Sequence, residues 1–317
     1  MTDKQINRWL HRRFSLVCWG LIGFYILLNT LATMGVCWEA LRQALPVLAA
    51  GRFPEIDLYA ASDNAWGYML AAFVALAILD AWKGPDYRRQ ELFAKENRMS
   101  VRIFASLLCL CLGAQMINTL WLTLLETVMN LFGRSMMPIL ETVSGSSGSF
   151  SMFLYASIAA PVSEELIFRG YVLRSLRPYG KRFAVLATAL LFGLFHGNLL
   201  QTPYAILMGL IMGYVTVEYS IVWAIAIHTF NNLVLADLLT RLTMHLPELA
   251  LGLLNLLLFG GGLVLSLILL IANRKTVQAY RQQEWMDRRV LKCFFTNSGM
   301  IILTLIMLGN MVLMLLA

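Results

Sequence analysis

Two adjacent glutamates and an arginine lie in an otherwise apolar stretch of this sequence, SEELIFRG at 163–170. A charged side chain at the centre of a membrane helix costs about 2.5 to 3.5 kcal/mol, so such groups are functional candidates. Residues four apart share a helix face, which predicts that Glu165 pairs with Arg169 while Glu164 points elsewhere. An unpaired carboxylate in a poorly solvated site makes a better general base near neutral pH. The alternative is that all three charges form one packing network.

A histidine follows in FGLFH at 192–196, after the segment RPYGKR, whose proline and glycine predict a turn between two helices. Glu164 lies 15 residues before Tyr179, and His196 lies 17 residues after it. At a rise of about 1.5 Å per residue, two antiparallel helices leaving this turn carry Glu164 and His196 to nearly the same depth. The spacing therefore predicts that the two side chains meet.

A second histidine begins HTFNN at 228–232. His228 and Asn232 are four apart and share a face, whereas we expect Asn231 to point away from both. Each histidine taken alone can equally be a satisfied core residue. Together, two imidazoles, a carboxylate and an amide are the groups needed to activate water and to stabilise an oxyanion in amide hydrolysis.

The elements that position these groups are membrane helices. Of the 317 residues, 59% are hydrophobic and only 14% are charged, which is outside the range of soluble domains. We predict an all-α polytopic membrane bundle of about nine transmembrane helices. They lie at Phe14–Val36, Trp66–Leu79, Ile103–Leu125, 150–176, Phe183–Leu199, Pro203–Val217, Ile221–Leu239, Leu249–Ala272 and Ser298–Ala317. Residues 1–149 and 241–317 would flank a catalytic core of four helices at 150–240.

The basic residues predict the orientation. With the N-terminus in the cytoplasm, all 25 Lys and Arg residues except four lie on the cytoplasmic side, the exceptions being Arg42, Arg52, Arg134 and Arg241. The net charge of +7 then indicates contact with anionic lipid headgroups rather than nucleic acid. The segments 86–102 and 273–295 are predicted to be either interfacial helices or solvated connectors. The five cysteines show no disulfide or metal spacing, and we expect them to be reduced.

The three segments resemble the EExxxR, FxxxH and HxxxN motifs of the CPBP intramembrane proteases, the CAAX protease and bacteriocin-processing (Abi) family. The resemblance covers about 150–240 and implies helices around a cavity that admits a membrane-associated peptide and cleaves it. It implies that Glu164 is the general base and that His196 orients the attacking water. It also implies that His228 and Asn232 form the oxyanion site.

The same resemblance implies supporting roles for three further residues. Glu165 and Arg169 would shape and neutralise the first motif, and Phe192 would pack beside His196, although plain packing is the simpler account of any such phenylalanine. The family is often described as metalloproteases, and a zinc ion would use the set Glu164, His196 and His228. The sequence lacks HExxH, and we expect no obligatory metal.

Other classes of protein compete with a glutamate protease. GSSG at 145–148 matches the GxSG of rhomboid serine proteases, with Ser147 as nucleophile, but a flexible linker is the simpler interpretation. A transporter or proton relay would also use intramembrane Glu, Arg and His, but no inverted repeat is visible. A catalytically silent scaffold or immunity protein is the third class. GxxxG at Gly209–Gly213 predicts close helix packing or a dimer face.

The sequence predicts the substrate and the cellular location only as broad classes. Prenylated C-termini, peptide precursors and membrane-protein segments all remain open as substrates, and so does the oligomeric state. We expect a multi-pass protein of the bacterial cytoplasmic membrane; a eukaryotic source would place it in the endoplasmic reticulum.

Overall fold

The structure, a computed structural model, describes residues 2–137, 139–140, 148–283 and 287–316. Within these ranges all regular elements are helices, and none is a strand, which confirms the predicted all-α class. Short helical turns at Leu58–Ser62, Pro85–Tyr87 and Arg88–Leu92 lie in the connections. The longer helices are α1 (Asp3–Ala49), α2 (Trp66–Lys83), α3 (Val101–Leu131), α4 (150–179, mixed α, π and 3-10 turns), α5 (Lys181–Phe195), α6 (Thr202–Glu218), α7 (Ile221–Thr243), α8 (Glu248–Ala272), α9 (Arg274–Gln283), α10 (Arg288–Phe295) and α11 (Ser298–Leu316).

Membrane-spanning character is shared by six segments of the described chain, each long and apolar enough to cross a bilayer. They are Asp3–Ala49, Ala60–Lys83, Val101–Leu131, Ile221–Thr243, Glu248–Ala272 and Ser298–Leu316. The other three predicted spans correspond to α4, α5 and α6. The 15 residues of α5 extend about 22 Å, less than the roughly 30 Å of a hydrocarbon core. The protein is therefore a multi-pass membrane protein, while the count of nine crossings and the orientation stay predictions.

The two short helices α5 and α6 pack with their backbones in close approach. A Cβ added at Gly209 would lie 2.9 Å from the Cα of Ala189, and one added at Gly213 would lie 3.1 Å from Cγ1 of Val185. A Cβ on Gly193 would meet the carbonyl oxygen of Thr202 at 2.9 Å. The GxxxG segment thus packs within the chain, as the close-packing interpretation predicted. This contact sets the depth of the FxxxH motif.

The main hydrophobic core joins the first, middle and last parts of the chain. Phe14 of α1, Phe183 of α5 and Phe294 of α10 are buried and contact one another with ring centroids 5.4 to 5.7 Å apart. In the predicted segment 273–295, Arg274–Gln283 and Arg288–Phe295 are helical as α9 and α10, and α10 packs on the bundle. Segment 86–102 is helical only as far as Leu92 before α3 begins. All five cysteines are free.

Candidate active site

The first and third motifs lie where an α-helix changes to wider π turns. In α4, the α segment Ala160–Glu165 is followed by the π segment Leu166–Leu173. In α7, the α segment Ile221–Phe230 is followed by the π segment Asn231–Leu238. π turns inside α-helices are rare and are frequent at functional sites, because the extra residue per turn redirects side chains.

Glu165 and Arg169 form a fully buried ion pair, as their spacing predicts. Both side chains have no exposed surface, and Arg169 Nη1 lies 2.9 Å from Glu165 Oε1. The same carboxylate oxygen accepts a hydrogen bond of 2.9 Å from Nδ1 of His228. The second oxygen of Glu165 and all three guanidinium nitrogens of Arg169 have no well-aligned hydrogen-bond partner among the described residues, so the contact with Arg169 is an ion pair. The negative charge of Glu165 is therefore neutralised inside the protein, where it also orients His228.

Glu164 has a different environment from its neighbour. Its side chain retains 26% of its exposure, and Oε2 lies 3.9 Å from Nε2 of His228. The phenol of Tyr155 is close enough to Glu164 to interact with it electrostatically. Because Nδ1 of His228 donates to Glu165, the neutral imidazole presents an unprotonated Nε2 towards Glu164. The first motif thus supplies one fully buried carboxylate and one that is partly exposed.

His196 lies at the C-terminus of α5. Its Nδ1 donates a hydrogen bond of 2.8 Å to the carbonyl oxygen of Phe192, which leaves Nε2 as the free ring nitrogen. Gly197 reverses the chain with φ +60°, a conformation that favours glycine. The helix therefore ends at Phe195, four residues before the predicted end at Leu199. The early end places His196 at a turn rather than inside a span.

Phe192 lies at the centre of the cluster. Its ring makes edge contacts with both imidazoles, at centroid distances of 4.9 Å to His196 and 5.9 Å to His228. The guanidinium carbon of Arg169 lies 4.3 Å from the ring centroid, a cation–π contact. Packing beside His196 was expected; contact with His228 and Arg169 was not. Phe192 is thus the residue through which the second motif contacts the first and third motifs.

Asn232 is held by a chain of hydrogen bonds that includes two residues missed by sequence reasoning. Its Nδ2 donates to the carbonyl oxygen of Ala156 (3.0 Å), and its Oδ1 accepts from Nδ2 of Asn231 (3.1 Å). The hydroxyl of Tyr204 in turn donates to Oδ1 of Asn231 (2.7 Å). The expectation that Asn231 points away was wrong, because π turns begin at this residue. Tyr204 is a single tyrosine in an apolar helix, and no spacing in the sequence connects it to the motifs.

Glu164, His196 and His228, the set that a zinc ion would use, do not come together as a group of three metal ligands. Within the described parts of the chain, no group of three or more His, Cys, Asp or Glu side chains is positioned to hold a metal ion. Glu164 lies 3.9 Å from His228, and the rings of both histidines contact the ring of Phe192. Ser147, the alternative nucleophile, lies outside the described residues.

The fold and this cluster together define a class of protein: a multi-pass helical membrane protein with a buried Glu, Arg and His site assembled from three helices. Residues 146–234 match the family model described as Type II CAAX prenyl endopeptidase Rce1-like. The match contains all three motifs and confirms the resemblance to the CPBP intramembrane proteases, although it covers less than a third of the chain. It indicates CAAX-type protease activity. Neither curated proteins nor solved structures give a significant match.

Proposed function

We propose that this protein is an intramembrane endopeptidase that hydrolyses a peptide bond of a membrane-associated peptide with water activated by Glu164. The observation that supports this most is the division between the two adjacent glutamates. Glu165 is sealed and paired with Arg169, whereas Glu164 is partly exposed and faces Nε2 of His228. A structural charge network would have no need of the second, unpaired carboxylate.

The gap between Glu164 and His228 suits a bridging water. A separation of 3.9 Å is too long for a direct hydrogen bond, and polar contacts of this length are commonly completed by water. Such a water would donate one hydrogen to the Glu164 carboxylate and the other to Nε2 of His228. Both lone pairs of its oxygen would then be free, and one of them could point towards a substrate carbonyl. In this arrangement His228 would help to hold the attacking water, a role that the family resemblance gives to His196, rather than the oxyanion.

The reaction then needs one proton acceptor and one group of donors. As the water oxygen attacks the carbonyl carbon, Glu164 takes its proton, and the carbonyl oxygen becomes an oxyanion. The second Nδ2 hydrogen of Asn232, the one not bound to Ala156, would donate to that oxygen. Glu164 then returns the proton to the leaving nitrogen as the carbon–nitrogen bond breaks. The products are a carboxylic acid and an amine, and no step uses a metal.

Prenylated C-terminal peptides are the first substrate class to test, since the matching family is described by that activity. The purified full chain is reconstituted in lipid vesicles with a prenylated fluorogenic peptide. We expect Glu164→Gln to reduce cleavage by at least about 100-fold, because general base catalysis contributes roughly 10²–10⁴-fold. Glu55→Gln is the matched control, since it removes an exposed carboxylate in a connecting segment. Full activity of a correctly folded Glu164→Gln protein would refute the proposal.

Chelation tests the metal-free mechanism in the same vesicles. We expect a strong zinc chelator to leave cleavage unchanged. Loss of activity on chelation, followed by recovery on adding zinc, would show that the three predicted ligands rearrange around an ion. In that case the metal-free assignment is wrong, while the assignment of Glu164 to the site survives. The bacterial cytoplasmic membrane is the location we propose for the protein.

A further inference from the structure

An open surface cavity of about 430 Å³ lies away from the Glu and His cluster, between the start of α1 and the N-terminus of α11. Five of its lining residues come from α1 and lie within nine positions of one another: His11, Arg12, Ser15, Leu16 and Trp19. The spacings of three, four and seven or eight place them on one helix face. Ser298, the first residue of α11, lines the opposite wall.

The lining of this cavity changes in polarity along α1. Arg12 and His11 lie at one end, Ser15 lies one turn further, and Leu16 and Trp19 lie at the other end. Eight residues of helix span about 12 Å. The predicted span begins at Phe14, which places the cationic end at the level of lipid headgroups and the apolar end in hydrocarbon. Tryptophan is enriched at this boundary. The gradient matches a molecule with an anionic head and an apolar tail.

The cationic end is not neutralised by the protein. Arg12 is exposed and forms no ion pair with any carboxylate of the described residues. Nearby cations are engaged elsewhere: Arg289 pairs with Asp3 at 2.9 Å, and Arg13 lies over the ring of Trp9. Arg12 is therefore available to a phosphate, and a guanidinium can bind phosphate through two hydrogen bonds.

Hydroxyl groups line the middle of the cavity. The Oγ atoms of Ser15 and Ser298 lie 3.1 Å apart, and the backbone N–H of Gly299 donates to Ser15 Oγ at 3.2 Å. Ser298 opens the 19-residue helix α11, whose N-terminal dipole also favours an anion. A phosphate at Arg12 would thus find hydroxyl donors on both walls.

We propose that this cavity binds the phosphate of an anionic phospholipid headgroup, with the acyl chains against Leu16 and Trp19. A free phosphate ion would share the contact with Arg12 and the serines. It would make no use of the apolar end of the cavity. The site is independent of the proposed peptidase activity, since none of its residues belongs to the catalytic cluster.

Native mass spectrometry of the detergent-purified full chain tests this with phosphatidylglycerol and phosphatidylcholine at equal concentration. We expect phosphatidylglycerol to be retained preferentially and Arg12→Gln to weaken its binding about fivefold, the effect of one cation near an anionic headgroup. Arg12→Lys should retain most of the binding, because it keeps the charge. Arg98→Gln is the control, since it removes an exposed arginine outside the cavity.

Three results would overturn the proposal. Equal retention of the two lipids would show that the headgroup charge is not recognised. Unchanged phosphatidylglycerol binding in a folded Arg12→Gln protein would show that the lipid lies elsewhere. Displacement of the lipid by inorganic phosphate alone would show that the cavity binds the free ion. We expect excess phosphate to leave the lipid bound.

Discussion

The buried pair of Glu165 and Arg169 predicts strong coupling between two substitutions. Neither side chain is exposed, and Oε1 of Glu165 is shared by Arg169 Nη1 and His228 Nδ1, both at 2.9 Å. Replacing one partner leaves the other charge buried without compensation, which costs about 3–5 kcal/mol. We expect this loss in Glu165→Gln and in Arg169→Met. It corresponds to a change of roughly 100-fold to several thousandfold in the ratio of folded to unfolded protein.

The double variant Glu165→Gln/Arg169→Met should be far less destabilised than the sum of the single variants. It buries no charge, and the new glutamine can still accept the hydrogen bond from His228. Its remaining cost is lost packing, on the order of 1–3 kcal/mol. We therefore expect a coupling energy of at least about 2 kcal/mol.

Reversible unfolding in mixed micelles, followed by helical circular dichroism, measures all four proteins of this cycle. Arg98→Gln serves as a control for loss of an exposed arginine. Additive effects, or single variants that each lose less than about 1 kcal/mol, would contradict the reasoning. Either result would mean that the ion pair is solvated in the native protein or that the side chains do not meet.

Three further predictions concern the surroundings of the site. Tyr204→Phe removes the hydrogen bond to Asn231 and should lower the stability by about 1 kcal/mol. If Tyr204 positions the asparagines, kcat should fall while KM changes little, and an unchanged kcat would contradict this role. Gly209→Ala should destabilise by about 1–3 kcal/mol, because its Cβ meets the neighbouring helix at 2.9 Å; Gly252→Ala, with open space around it, is the control in the same unfolding assay. The hydrogen bond from Arg177 lowers the pKa of Glu96, so this carboxylate stabilises the fold above its unfolded pKa of about 4.3, and the contribution disappears as pH falls through the lowered value. Glu96→Gln should cost less than about 1 kcal/mol at neutral pH and progressively less as the pH falls below about 4.3, as thermal unfolding at a series of pH values can measure.

The sequence alone predicted most relations within one helix, with the exception of Asn231, where π turns begin. A membrane helix must consist of about 20 mostly apolar residues, so composition revealed the class and the position of most helices. The pairing of Glu165 with Arg169 follows from helical periodicity, which holds in any surroundings. The three motifs also fall inside the segment that matches the protease family.

Relations between helices depended on packing that no spacing in the sequence encodes. The contact of His228 with both glutamates requires α4 and α7 to lie at one depth. The position of His196 depends on the early end of α5 at Phe195, and Tyr204 reaches Asn231 only because α6 and α7 are neighbours. Periodicity fixes directions around one helix axis, whereas the distance and register between axes are set by side-chain volumes at the contact. For this reason the motif residues of the site were predictable, whereas the parts of Asn231 and Tyr204 and the arrangement of the whole site were decided by the tertiary structure.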